Sequence, residues 1–82
     1  MTSWLRCRVT RGMLPGEFAI VTSTSDGREI SLFAPERFVQ EKKGLIRVTI
    51  LQRKADRVLV SLPAEPLEIS SRTVTVPSKE LV

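Results

Sequence analysis

Residues 17–34 run Glu17-Phe18-Ala19-Ile20-Val21-Thr22-Ser23-Thr24, then Ser25-Asp26-Gly27, then Arg28-Glu29-Ile30-Ser31-Leu32-Phe33-Ala34. Apolar and polar side chains alternate on both sides of the Asp-Gly pair, which is the pattern of a half-buried β-hairpin. A two-residue loop would set Ile20 opposite Phe33 and Ser23 opposite Ile30. A three-residue loop, Ser25 to Gly27, pairs Ile20 with Leu32, Thr22 with Ile30 and Phe18 with Ala34. The second register gathers the apolar residues on one face and leaves Gly27 free to be left-handed. A slip by one residue sends that set into solvent, so the three-residue loop is expected.

The same period of two extends in both directions. Upstream, Leu5, Cys7 and Val9 alternate with Trp4, Arg6, Arg8 and Thr10, until Gly12-Met13-Leu14-Pro15-Gly16 breaks the pattern. Downstream, Pro35 to Lys43 loses the alternation and ends at Gly44. Pro35 and Glu36 suit the start of a helical turn and Lys42 and Lys43 its end, so one or two turns are expected, α or 3₁₀, with Phe38 and Val39 facing inward. A second hairpin follows. Ile46, Val48 and Ile50 answer Val58, Val60 and Leu62 if Ile50 stands opposite Val60, which asks for a loop of Lys54-Ala55-Asp56. That register sets Leu51 opposite Leu59 and Arg53 opposite Arg57 on the outer face.

Pro63 and Pro66 must interrupt the sheet, because proline donates no ladder hydrogen bond. Leu67 to Ile69 and Arg72 to Val76 are short strand candidates, and Pro77 ends the last. One all-β domain is expected over residues 1–77, with 78–82 a short tail that frays unless Leu81 and Val82 dock. The order of elements fits a small closed or half-open barrel of five to six strands with one short helical turn. An OB-like barrel places a helix where Pro35 to Lys43 falls. An SH3-like barrel places a short turn where Pro63 to Pro66 falls. The short strands and a further strand after Pro66 favour the SH3-like form.

Composition narrows the chemistry. The chain has 82 residues, 13 Lys and Arg, nine Asp and Glu, no His, no Tyr and one Cys, for a net charge of +4. Without His there is no Ser-His-Asp triad, no Cys-His pair and no His-bearing zinc site. One Cys closes no internal disulfide and builds no Cys-rich cluster. No carboxylate pair sits in an apolar setting that would tune it for acid–base work, and no glycine-rich loop cradles phosphate. The expectation is a non-enzyme without cofactor or metal. No apolar run approaches the ~20 residues needed to span a bilayer, and the amino terminus lacks the apolar centre of an export signal. With a lone Cys, this places the chain in the cytoplasm. Cys7 itself is read as a core thiol, since in a strand Arg6 and Arg8 would point to the opposite face.

Two binding surfaces are legible. The first is basic and aromatic: Trp4, Arg6 and Arg8 on one strand, Phe33 on another, and Arg47, Arg53, Lys54 and Arg57 on the second hairpin. Arginine beside aromatic rings suits a nucleic-acid strand, whose bases stack and whose phosphates pair. The second is apolar: Val21, Leu45, Leu51 and Leu59 fall on outer faces that a small barrel does not cover alone. A partner protein or a second copy of the chain ranks first on this reading, and RNA or single-stranded DNA second.

Overall fold

The computed structural model describes residues 1–82. Eight strands follow one another: β1 (Thr2–Arg6), β2 (Arg8–Arg11), β3 (Glu17–Ser23), β4 (Glu29–Pro35), β5 (Val39–Gln40), β6 (Leu45–Lys54), β7 (Arg57–Ser61) and β8 (Thr73–Pro77). Three 3₁₀ turns, Glu36–Phe38, Glu41–Lys43 and Ser78–Glu80, fill the spaces around β5 and after β8. No helix is long and apolar enough to cross a membrane.

The strands form two antiparallel sheets. The first contains β1, β6, β7 and β8 in that order, with β5 also paired to β6. The second is three-stranded, in the order β2-β3-β4. Their inner faces share one core, built from Leu5, Ile46, Val48, Val58, Val60, Leu62, Val74 and Val76 on one side and Ile20, Ile30, Leu32 and Ala34 on the other. Burial of this alternating set is the main force holding the sheets together. Thr22 is the one polar side chain buried in it, and its hydroxyl donates to the Arg6 carbonyl at 3.2 Å.

The chain is all-β, but the two sheets do not close into a barrel. Single contacts replace a closing ladder: the Ser25 N–H donates to the Thr75 carbonyl at 2.8 Å. The free edge of β4 is covered instead by residues 67 and 68. The Leu67 N–H donates to the Ser31 carbonyl, and the Glu68 carboxylate accepts from the Ser31 N–H at 2.7 Å and its hydroxyl at 2.8 Å. Those two donations hold the Glu68 carboxyl below the usual carboxylate range. Leu67 to Ile69 is therefore a strap and not a strand, because a side-chain carboxylate takes the place of a backbone acceptor. It blunts an edge that would otherwise pair with another chain.

The first hairpin has the expected register, with Ile20↔Leu32, Thr22↔Ile30 and Phe18↔Ala34, and Gly27 is left-handed at φ 85°. The second departs from expectation. Ile50 stands opposite Val60, but the register then shifts between Ile50 and Gln52, leaving Leu51 as the extra residue of a bulge. Gln52 faces Leu59, Arg53 faces Val58 and Lys54 faces Arg57. The loop shrinks to Ala55 and Asp56, with Ala55 at φ 55°. The tip is fastened from outside, since the Ser78 N–H donates to the Asp56 carbonyl at 2.8 Å.

Of the two courses open to the tail, docking is the one taken, and one further expectation is corrected. The tail is docked: Leu81 bridges to Leu5, and the Val82 N–H donates to the Trp4 carbonyl at 2.9 Å, so residues 78–82 cover the outer edge of β1. The segment after Pro35 is two 3₁₀ turns around a two-residue strand, so Phe38 and Val39 point to opposite faces. Val39 packs on the core as expected; Phe38 does not.

Candidate functional site

Cross-strand register arranges the outer face of the five-stranded sheet in rows. Trp4 of β1 stands opposite Arg47 of β6. On the other side of β6, Val39 pairs with Ile46 and Gln40 with Leu45, so one further step along the ladder places Phe38 opposite Arg47. The Arg47 guanidinium lies over the Phe38 ring, 4.9 Å from its centroid, and Arg37 lies over the same ring at 4.7 Å. The result is an aromatic–arginine–aromatic row, Trp4–Arg47–Phe38, with a second guanidinium at one end. Cation–π contact orients both guanidiniums while leaving their N–H groups free to donate.

The next row is made of hydroxyls. Thr2 pairs with Thr49, Thr49 with Ser61 and Ser61 with Thr73 across four strands. Beyond it come Gln52, Leu59 and Thr75, and then Lys54, Arg57 and Pro77 at the hairpin tip. On the opposite side of the aromatic row, Leu45 stands between Arg6 and Gln40.

The electrostatics of this face are one-sided. The strands bring Arg6, Arg47, Lys54 and Arg57 to it, and none of the five strands has an Asp or Glu at any position. Neither Arg37 nor Arg47 has a carboxylate within ion-pair distance; the two ion pairs of the chain are Arg8–Glu29 at 3.0 Å and Arg57–Asp56 at 4.0 Å. Lys54 and Arg57 are directly opposed, an arrangement that costs a few tenths of a kcal/mol where nothing neutralises it. Asp56 is nine-tenths exposed and compensates weakly. A face of this kind attracts a polyanion.

The structure brings together Trp4, Arg6, Arg47, Lys54 and Arg57 and separates the rest of the expected basic and aromatic set. Arg53 lies on the opposite face from Lys54, exposed beyond the edge of the core. Arg8 belongs to the other sheet, because the chain crosses between sheets at Cys7, and it is paired with Glu29. Phe33 also lies on that sheet, opposite Ala19. Phe38, Arg37 and the hydroxyl row were not anticipated. A strand reading of Phe38-Val39-Gln40 would have turned Phe38 outward; a helical reading turned it in.

The apolar set is dispersed. Leu45, expected outside, is buried at 7% exposure. Its ladder neighbours are Gln40 and Arg6, whose guanidinium donates to the Lys79 carbonyl at 2.8 Å. Val21 is half-buried on the three-stranded sheet, opposite Arg8 and Ser31. Leu59 is half-buried, and only Leu51, at 51%, is freely exposed.

Cys7 marks the junction of the sheets, half-buried, its N–H donating to the Gly44 carbonyl at 2.9 Å. Burial pushes its thiol up to about 11, the opposite of what a reactive thiolate needs. Comparison with family models, curated proteins and solved structures returns no match. The site rests on its own geometry.

Proposed function

We propose that this chain is a non-enzymatic module that binds single-stranded nucleic acid, RNA or single-stranded DNA, on the outer face of the five-stranded sheet. We read its two sheets as halves of a half-open SH3-like or OB-like barrel. The observation that carries the proposal is the Trp4–Arg47–Phe38 row, in which Trp4 and Arg47 sit on strands without a single carboxylate and Phe38 ends the adjoining turn. Bases stack on aromatic rings whatever their identity, and guanidiniums take phosphates between them. Arg6 flanks the row at one side, and Lys54 and Arg57 extend the basic track to the hairpin tip.

This order of preference reverses the one drawn from sequence. Burial of Leu45 and the placement of Val21 on the other sheet leave no continuous apolar surface on this face. One observation still favours a protein partner or a second copy. Beyond Ile50, which donates to the Met1 carbonyl, β6 has no neighbour on the β1 side, and exposed Leu51 lies there. Arg53 and Lys54 on the same stretch oppose strand addition. Sedimentation of native and Leu51→Glu protein decides this second reading: a dimer dissociated by the substitution supports it, and a monomer at high concentration removes it.

The main proposal is tested with a labelled single-stranded oligouridylate followed by fluorescence anisotropy. Binding at low salt is expected, weakening as salt rises with a log–log slope of about −0.7 per phosphate contacted. Absence of binding at low salt defeats the proposal.

A further inference from the structure

We infer that the cleft beside Phe38 reads the sugar of the bound strand, so that this module prefers RNA to DNA. The inference rests on the proposal that a single strand lies across this face. The cleft has a volume of about 280 Å³, and its polar lining is Thr2, Arg47, Thr49 and Ser61, with Phe38 and Pro63 as walls. It thus combines, within one concavity, a ring on which a base stacks, a guanidinium that takes a phosphate, and three hydroxyls.

The hydroxyls decide between sugar and phosphate. None of Thr2, Thr49 and Ser61 uses its side chain in a hydrogen bond within the chain, so all three hydroxyls in the cleft are free to meet a ligand. Each can donate and accept at once. A phosphate oxygen only accepts, and the Arg47 guanidinium of the adjoining row already serves it. A neutral row of donor–acceptors next to a guanidinium matches a ribose next to its phosphate. The 2′-hydroxyl, itself a donor and an acceptor, is the group that distinguishes RNA from DNA at such a position. Thr49 and Ser61, paired across the ladder in the middle of the row, are the specificity-determining residues.

The experiment compares an octauridylate with its 2′-deoxy counterpart, which has the same bases and phosphates, on the native protein and on a Thr49→Val, Ser61→Ala double variant. Valine keeps the branched shape of threonine, and alanine removes one oxygen from serine, so circular dichroism should report native fold in both proteins. The native protein should favour the ribose strand by about tenfold, the worth of one or two hydrogen bonds. In the double variant the preference should fall to about twofold or less, through loss of RNA affinity with DNA affinity unchanged.

Equal affinity of the native protein for the two strands overturns the inference and leaves the stacking platform standing. An unchanged preference in the double variant, or equal weakening of both strands, also overturns it; equal weakening would assign the hydroxyls to phosphate. Binding of neither strand removes the platform and the inference together.

Discussion

The two sheets share one core yet differ in charge. The strands of the five-stranded sheet hold five basic side chains and no carboxylate; those of the three-stranded sheet hold Arg8 and Arg11 against Glu17 and Glu29. The remaining six basic and seven acidic residues lie in turns and connections, where they nearly cancel. The net charge of +4 is therefore a property of one sheet and not of the whole surface. The smaller sheet neutralises itself, as in the Arg8–Glu29 pair, whereas Arg47 of the larger one and Arg37 of the adjoining turn have no acidic partner and both lie over one ring. Sequence-wide basicity is weak evidence for a polyanion partner. Basicity segregated onto one face beside aromatic rings is stronger evidence.

The sharpest way to break this contrast is a charge reversal on each sheet. Arg47→Glu should weaken binding of a single-stranded oligouridylate by about a hundredfold, since it removes a cation and places a carboxylate among phosphates. Arg8→Glu should change it by about twofold or less, and isothermal titration of both variants gives the comparison. The aromatic rings provide the next largest effect. Phe38→Ala should cost about 1–3 kcal/mol of binding, the range for loss of one stacked base, while Phe33→Ala on the other sheet should leave affinity unchanged. Smaller again is the hairpin tip. Lys54→Gln with Arg57→Gln should flatten the slope of log affinity against log salt by roughly one unit and relieve the repulsion between the two strands.

The junction between the sheets makes a prediction of its own. Burial raises the Cys7 thiol from 9.0 to about 11. Between those values the unfolded chain has released a proton that the folded chain keeps, so stability is complete below pH 9.0 and falls as pH rises toward about 11. Thermal unfolding followed across that window should show the fall in the native protein, and Cys7→Ala should lose that part of it.

How much of this was legible follows from which residues a mistake would punish. In the first hairpin, a one-residue slip would have exposed Ile20, Ile30 and Leu32 together, so alternation alone determined the register. In the second, the bulge falls at Leu51 and Gln52, both exposed, where no burial constrains the count of residues. The sheet crossing at Cys7 was invisible because Leu5, Cys7 and Val9 keep one unbroken period through it, and Arg8 was misplaced as a consequence. Phe38 was missed because β5 is two residues long, too short to show a period. Trp4 and Arg47 were legible as outward-facing residues. Their adjacency is a long-range pairing of β1 with β6, which local pattern does not encode.

Trp4 is the only tryptophan in a chain without tyrosine, so the intrinsic emission of the protein reports from the centre of the site. Titration with single-stranded oligouridylate at low salt should quench that emission to saturation. The quench should persist in Arg8→Ala and be lost at the same concentrations in Arg47→Ala. Emission that stays constant in the native protein, or a quench that Arg47→Ala leaves intact, would contradict the placement of the binding face on the five-stranded sheet.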